Sequence, residues 1–233
     1  MTRITLCLDI VSPWSYFAYK ILKRYRSAWN FELIIKPFFL GGVMQASGNQ
    51  PPLKIKNKGI WMNKVDLPLF AEMSDIPYTF PESFPINTIQ VMRFLRALEQ
   101  AHPDKLEPAT DFFWELVWNR KGSESAKDAI DPATFCEKLV RANVLSQDQV
   151  KRVFELSQSS EIKDALKNEA AQLVNKDGAF GFPWIIVEKE GGSSSSGKRS
   201  FFGADRFEHI AFYLGKEWDG PRGPGTRRGQ SKL

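Results

Sequence analysis

The segment 9–15, Asp-Ile-Val-Ser-Pro-Trp-Ser, constrains the fold most strongly, because it joins a predicted strand to a predicted helix. The preceding residues 4–11 are rich in β-branched and apolar side chains, which predicts a strand. Ser12 is a favoured N-cap residue and Pro13 a favoured first helical residue. Apolar residues then recur at every third or fourth position as far as Tyr25, which predicts an amphipathic helix. The chain therefore opens with a strand and a helix that meet at Ser12.

The helix N-terminus at Ser12 has two possible roles. Unpaired backbone N–H groups and a partial positive charge at such a site stabilise an anion, including a thiolate. A Ser-Pro pair also caps helices that have no chemical function. The two roles are compatible, and the local sequence leaves both open.

Length and composition predict a soluble protein that is not exported. The chain has 233 residues, 42% of them hydrophobic, so it can bury a core as one domain or as one domain with a large insertion. The longest apolar stretches are far shorter than a bilayer span. The first residues run directly into a strand and do not resemble a secretory signal. We therefore expect no membrane insertion.

Charge and cysteine content argue against two other kinds of site. Much of the net charge of +5 lies in the tail from residue 219 onward, which has four basic residues and one acidic residue, so the body is nearly neutral. No nucleic-acid-binding pattern is present, and we expect no nucleic-acid partner. Cys7 and Cys136 show neither Cys-x-x-Cys spacing nor a histidine cluster, so we expect neither a disulfide framework nor a metal site.

The remaining predicted elements complete a recognisable order. A second strand is predicted over residues 31–39, a long basic loop over 41–58, and five or six helices between 63 and 173. Ser146 and Gln149 resemble a capping box within that helical region. Two strands follow, at 179–187 and 199–202, joined by a flexible Gly/Ser loop at 191–197. A last helix opens at Gly203-Ala204-Asp205.

This order, βαβ, then helices, then ββα, predicts an α/β thioredoxin-like fold with a large all-helical insertion between the second and third strands. We assign residues 1–52 and 175–218 to the thioredoxin-like domain, 53–174 to the insertion and 219–233 to a flexible tail. Thioredoxin-like enzymes carry Cys-x-x-Cys at the first helix N-terminus. Ser12 and Ser15 occupy those two positions here, so dithiol chemistry is impossible at this place.

Six segments together resemble the kappa-class glutathione transferases, a thioredoxin-fold family related to the 2-hydroxychromene-2-carboxylate isomerases. Each segment is weak alone, but their order and spacing are specific and cover nearly the whole chain. They are residues 9–15, 47–52, 92–95, 178–183, 202–206 and 215–218.

The resemblance implies a glutathione site at matching positions. Ser12 would donate a hydrogen bond to the glutathione sulfur, with Pro13 and Trp14 beside it in the same tetrapeptide. The backbone of Phe182, before a Pro183 expected to be cis, would pair with the cysteinyl unit.

The two ends of glutathione are assigned to other residues. Asn49 would contact the peptide, and Lys58 would face its carboxylate. Ala204 and Asp205 would hold the γ-glutamyl end, although the family often has serine in place of Ala204, which can offer only its backbone N–H. Glutathione has a thiol, two carboxylates and one ammonium group, and these residue types suit each of them. No metal is expected.

The resemblance implies transfer of the glutathione thiolate to a small electrophile, as in detoxification. A glutathione-dependent isomerase would use the same thiolate, and the sequence does not separate the two. A non-catalytic thioredoxin-like adaptor is a third hypothesis. A Ser-His-Asp hydrolase is a fourth, although Ser12 lacks a Gly-x-Ser-x-Gly elbow and His102 and His209 are the only histidines.

Assembly and location are the last expectations. The resemblance implies a homodimer. The final residues, Ser231-Lys232-Leu233, match the C-terminal peroxisomal address and predict binding to the peroxisomal import receptor. The preceding Gly- and Pro-rich residues cannot bury a core, so the address should be accessible. We therefore expect a peroxisomal matrix protein.

Overall fold

In a computed structural model of the chain, residues 1–121, 125–191 and 197–226 are described. Four strands of this part form one mixed sheet in the order β2-β1-β3-β4. β1 runs parallel to β2 and antiparallel to β3, and β3 runs antiparallel to β4. The expected thioredoxin-like fold is confirmed. The strands are β1 (Thr2–Leu8), β2 (Phe31–Pro37), β3 (Trp184–Glu188) and β4 (Lys198–Phe202).

Helix α1 (Pro13–Trp29) begins where the sequence predicts, with Ser12 as its N-cap and Pro13 in its first turn. It ends at Asn30, which adopts the left-handed conformation. The first strand is shorter than predicted and ends at Leu8. The physical reason is the side chain of Asp9, which accepts a hydrogen bond from the N–H of Val11 and turns the chain away from the sheet.

The period of two in the strands sends alternate side chains to two cores. Ile4, Leu6 and Leu8 of β1 enter the larger core, which also contains α1 and most of the insertion. Cys7 of the same strand faces a smaller core, which contains Phe38, Val43, Leu173, Phe182 and Trp184. Helices therefore cover both faces of the sheet.

Helices follow β2 at once, so the predicted loop over 41–58 is wrong in part. Residues 40–47 form a helix, and a further helix starts at Lys56. The pair Gly41-Gly42 suggested a break, but a β-carbon on Gly42 would lie 3.9 Å from that of Ala170 on a neighbouring helix, so a small residue suits this contact. The helices before β3 are α2 (Leu40–Ser47), α3 (Lys56–Trp61), α4 (Leu67–Ser74), α5 (Ile89–Ala101), α6 (Leu106–Trp118), α7 (Pro132–Arg141), α8 (Gln147–Ser157) and α9 (Ser160–Asp177).

The insertion agrees with its prediction in most other respects. Six helices, α4 to α9, occupy the described part of the region in which five or six were expected. The capping box of Ser146 and Gln149 opens α8, as predicted. A π-helical turn, Met62–Asp66, joins α3 to α4 into one longer rod. α9 runs three residues beyond the predicted end of the insertion and is closed by Gly178 in the left-handed conformation.

The C-terminal part differs from its prediction between residues 219 and 226. Helix α10 (Phe207–Leu214) closes the thioredoxin-like part and starts two residues after Asp205. The chain then packs on α1, where Tyr25 Oη donates to the carbonyl of Gly220 at 2.8 Å and Arg24 donates to that of Pro221 at 2.8 Å. Composition suggested a mobile tail, but side chains from α1 bind its backbone. The predicted address at Ser231, Lys232 and Leu233 lies outside the described residues.

Among the described residues, no helix combines the length and the apolar character that crossing a membrane requires.

Candidate active site

The Ser12 hydroxyl lies where a helix N-terminus meets the sheet. Its oxygen accepts a hydrogen bond from the N–H of Ser15 at 3.1 Å, so it caps α1. The same hydroxyl donates to the carbonyl of Phe182 at 3.3 Å, across 170 residues of sequence. Ser12 is 5% exposed. The structure therefore brings together the two residues that the resemblance placed nearest the sulfur.

The peptide bond between Phe182 and Pro183 is cis, as the resemblance implies. Phe182 packs in the smaller core, with its ring 5.8 Å from that of Phe38. The carbonyl of Pro183 accepts from the N–H of Gly203 at 3.1 Å, which ties this turn to the one before α10. No described residue accepts from the N–H of Phe182. That backbone can therefore pair with an extended peptide.

Asn49 approaches the same turn from α2. The helix is closed by Gly48 in the left-handed conformation, and Asn49 follows it. Its amide donates to the carbonyl of Phe180 at 2.6 Å, and its oxygen accepts from the N–H of Gln50 at 2.8 Å. We call residues 48–52 the Asn49 arm. Asn49 and Ser12 therefore bind backbone carbonyls two residues apart, and we call the region between the Asn49 arm and the N-terminus of α1 the groove.

Ala204 and Asp205 lie in the turn before α10. Ala204 is buried, whereas the Asp205 side chain is 61% exposed and pairs with Arg206 at 3.1 Å. Burial and, second, the charge of Asp205 raise the pKa of Asp66, so two carboxyl groups lie within electrostatic reach of each other. An ammonium group would be attracted to such a place.

Trp14 and Lys58 differ in their relation to this groove. The half-buried Trp14 ring packs 5.4 Å from Phe70 of α4 and 5.9 Å from Phe17. Lys58 is exposed on α3, and within the described part of the chain no hydrogen bond or ion pair joins it to another predicted site residue. The structure thus brings Ser12 and Asn49 to the turn that contains Phe182, whereas no hydrogen bond among the described residues links Lys58 to that turn.

Sequence reasoning missed Asp9, whose carboxylate is wholly buried three residues before Ser12. Burial raises its pKa to about 6, against the opposing effect of three hydrogen bonds from Thr88, Val11 and Leu40. A lone acidic residue at the end of an apolar strand, next to a helix N-terminus, was the available signal. Two of its three hydrogen-bond donors, on Leu40 and Thr88, lie 31 and 79 positions away in sequence, so the pattern could not identify them.

The groove combines an anion-stabilising helix end, an unpaired peptide backbone and nearby aromatic rings. Phe180 and Phe202, each 40% exposed, lie 4.6 Å apart beside it. The described residues contain no group of three His, Cys, Asp or Glu side chains that could hold a metal. The Ser12 hydroxyl donates to a backbone carbonyl, and His209 is exposed on α10, so the geometry does not form a Ser-His pair.

Comparison with known proteins agrees with the fold. A family model described as a DSBA-like thioredoxin domain matches residues 3–215, so the chain belongs to that class. A solved 2-hydroxychromene-2-carboxylate isomerase superposes with a TM-score of 0.68 at 20% identity, covering 91% of this chain and 94% of that one. That likeness concerns the fold.

Curated relatives narrow the class. Glutathione S-transferase kappa 1 of Homo sapiens is 32% identical over 226 residues, which cover 95% of this chain and 94% of that protein. The protein of the same name from Caenorhabditis elegans is 31% identical over 220 residues, covering 92% and 91%. Within the DSBA-like thioredoxin class, this chain belongs to the kappa-class glutathione S-transferase family.

Proposed function

We propose that this chain transfers glutathione, as the name of its relatives indicates for them, and that the acceptors are small electrophiles, so that the reaction contributes to detoxification. The observation that carries the proposal is the Ser12 hydroxyl, capping α1 and 3.3 Å from the Phe182 carbonyl. A thiolate placed there would receive a hydrogen bond and lie in the positive field of a helix end. Both effects favour the thiolate over the thiol.

Binding would place the cysteinyl unit along the backbone of Phe182, whose N–H is available to it. If the cysteinyl N–H took the Phe182 carbonyl, the Ser12 hydroxyl would be free to turn from that carbonyl towards the sulfur. Pro13 and Trp14 would line the sulfur side, and Asn49 would contact the peptide beside Phe180. Ala204 and Asp205 would hold the γ-glutamyl end. Lys58 would reach the other carboxylate through its flexible side chain.

In the reaction, the thiol proton leaves to solvent and the sulfur uses its electron pair to bond the electrophilic carbon. In a substitution, the leaving group departs with the electron pair of its bond to that carbon. In an addition to a conjugated double bond, the carbanion that forms takes a proton from solvent. The protein contributes a lower thiol pKa and a positioned nucleophile, without a covalent enzyme intermediate.

The test compares Ser12→Ala with Ser15→Ala as a matched control. Ser15 is buried on the same helix, and its hydroxyl has no hydrogen-bond partner among the described residues, so its loss should change conjugation little. We expect Ser12→Ala to bind glutathione but to raise the pKa of its thiol. Conjugation of chlorodinitrobenzene should slow by about 100–1,000-fold, the usual cost of removing one hydrogen-bond donor to an anion in an active site.

Thiolate absorbance against pH measures the first effect, and steady-state kinetics measures the second. Equal rates and equal thiolate titrations for Ser12→Ala and the wild type would refute the catalytic assignment. Absence of glutathione binding to the wild type by calorimetry would instead favour the adaptor hypothesis.

A glutathione-dependent isomerase remains the second candidate, because a solved isomerase shares the fold over nearly the whole chain. The same thiolate would add to a conjugated substrate, allow rotation, and leave again. Incubation with a conjugated cis-alkene distinguishes the two: the transferase consumes glutathione, whereas the isomerase returns it unchanged.

We further propose that two copies associate through α3 and α4. Four apolar side chains recur every four residues along this rod, each between 47% and 60% exposed, and form one stripe: Trp61, Val65, Leu69 and Met73. A continuous apolar stripe is typical of an interaction surface rather than of scattered surface residues. A second copy is the occupant that the family resemblance implies.

We also propose import into the peroxisomal matrix through Ser231-Lys232-Leu233. The match to a known C-terminal address supports this location.

A further inference from the structure

Asp9 has a buried carboxylate that takes no part in the glutathione-binding and catalytic roles proposed above. It directly follows β1 and is 0% exposed. Burying a carboxylate is costly unless hydrogen bonds replace those of water. Three donors supply them: the N–H of Val11 at 3.0 Å, the N–H of Leu40 at 2.7 Å and the Thr88 hydroxyl at 2.6 Å.

The three donors lie at the beginnings of three different helices. Val11 precedes Ser12 and α1, Leu40 is the first residue of α2, and Thr88 is the N-cap residue of α5. The positive ends of these helices therefore surround one anion, which favours its ionised form. The carbonyl of Asp9 also accepts from the N–H of Ser12 at 3.0 Å, so this residue contacts Ser12 directly.

Helix α2 connects the Asp9 carboxylate to the Asn49 side of the groove. It has eight residues and is therefore a rod roughly 12 Å long. Its first N–H is held by Asp9, and its far end leads through Gly48 to Asn49, which binds the Phe180 carbonyl. Asp9 is thus connected both to the Ser12 helix end, directly, and to the Asn49 arm, through α2.

We propose that Asp9 is a positioning residue whose ionised carboxylate holds the Ser12 helix end and the Asn49 arm at the separation that glutathione bridges. Protonation of this carboxylate would remove the negative charge that binds the N–H groups of Val11 and Leu40, while the Thr88 hydroxyl could turn to accept the added hydrogen. The weaker hold on Leu40 would loosen the Asn49 arm. The inference rests on the proposed function, because it takes glutathione as the ligand of the groove.

The groups around the Asp9 carboxylate do not titrate in the same pH range, so a pH dependence here would report Asp9 itself. The groups that face the carboxylate are uncharged: two backbone N–H groups and the Thr88 hydroxyl. Met92 of α5 and Trp118 of α6 bind the backbone of the next residue, Ile10, and burial raises the pKa of the nearby Cys7 thiol, which stays neutral. Burial raises the pKa of Asp9 to about 6, and no charged side chain is among the causes.

The direction of the Asp9 pKa shift distinguishes a loss of glutathione binding at low pH from a loss of folding. Because the pKa of folded Asp9 is raised above its ordinary value of 3.8, the folded protein binds more protons than the unfolded chain between that value and about 6. Its contribution to stability therefore grows as pH falls through this window. Weaker glutathione binding there would not reflect unfolding at this residue.

The experiment measures kcat, and KM for glutathione, from about pH 5 to about pH 8. For the wild type we expect KM to rise as pH falls through about 6, with kcat changing less. Asp9→Asn, whose amide cannot ionise, should show a KM raised by about tenfold with a flat pH profile, the size of one lost charge-assisted contact. Calorimetric titration with glutathione gives the affinity independently of turnover.

Thr88→Val gives a second route that does not remove the carboxylate. The Thr88 hydrogen bond lowers the pKa of Asp9, so its loss should move the acid limb of the KM profile to higher pH. Thr110→Val is the matched control, because it removes another buried hydroxyl, bound to the Leu106 carbonyl at 2.7 Å within α6. Its acid limb should stay in place.

Two results would overturn this proposal alone: glutathione binding with a wild-type pH profile in Asp9→Asn, or an unshifted acid limb in Thr88→Val. If Asp9→Asn does not fold, the position of the acid limb in the KM profile of Thr88→Val alone tests the proposal. A wild type that binds no glutathione by calorimetry at any pH overturns the proposed function, and this proposal with it.

Discussion

At the scale of single residues, Asp205 separates binding from stability. Its side chain is exposed, and among the described residues its one ion pair is with the adjacent Arg206, so the fold depends little on it. Asp205→Ala should weaken glutathione binding by about 10-fold or more, as expected for loss of a charge-assisted contact to the ammonium group. The free energy of unfolding should change by at most about 1 kcal/mol, the usual size of a charge effect near a helix N-terminus.

Calorimetry with glutathione and thermal unfolding measure the two quantities. Glu208→Ala is the control, because Glu208 is also exposed and acidic and lies in the first turn of α10. Unaltered affinity in Asp205→Ala would place the γ-glutamyl end elsewhere.

Residue-level signals predicted the parts of the site that depend on local backbone chemistry. The Ser-Pro helix start at Ser12, the cis bond before Pro183 and the capping box at Ser146 all agree with the sequence or the resemblance. Asp9 could not be found in the same way. Its function depends on donors that only the folded chain brings to it.

At the scale of elements, the sequence predicted the sheet and the large helices but not α2. Strands and long amphipathic helices can be recognised from the regular spacing of their apolar residues. Helix α2 is short and contains two glycines, which have low intrinsic helix propensity. Contact with α9 overrides that propensity, since Gly42 lies close to Ala170. The same physics explains residues 219–226, whose composition suggested disorder but whose carbonyls find donors on α1.

Arg24 makes the connection between α1, the end of α4 and the chain after α10. Its guanidinium donates to the carbonyls of Ser74, Asp75 and Pro221. Arg24→Ala should lower the free energy of unfolding by about 1–3 kcal/mol, because those carbonyls lose a charged donor. It should also expose the bond after Arg222 to trypsin, since Arg24 no longer holds this segment.

Chemical denaturation and timed proteolysis with mass spectrometry measure these effects. Arg26→Ala serves as the control, because Arg26 lies on the same helix and pairs with Glu107 at the surface, where such a pair contributes about 0–1 kcal/mol. Equal cleavage after Arg222 in both variants would show that Arg24 does not anchor the segment.

At the scale of the whole molecule, the stripe on α3 and α4 gives a test of assembly. Leu69→Asp places a charge in the middle of four apolar side chains and should convert a dimer to a monomer in sedimentation. Phe212→Asp is the matched control, because Phe212 is 88% exposed and lies on α10, outside the stripe. A dimer that survives Leu69→Asp would exclude this surface as the interface.

Assembly through this stripe would also affect the site. Phe70, next to Leu69, packs against the Trp14 ring, which lies in the tetrapeptide of Ser12. A Leu69→Asp monomer should therefore show altered conjugation kinetics as well as altered mass.

If the proposed peroxisomal import is right, the location of the whole protein depends on its last three residues, Ser231-Lys232-Leu233, and not on its fold. A terminal Ser-Lys-Leu is read by a receptor that needs a free carboxyl end, so both identity and position matter. Deletion of Leu233 should abolish import, and one glycine appended after Leu233 should do the same, because the carboxylate then stands on the wrong residue. Gln230→Ala, which leaves the three address residues intact, should still be imported. A fluorescent protein fused to the N-terminus reports the location without blocking the tail. Peroxisomal puncta that persist after deletion of Leu233 would show that the tail is not the address.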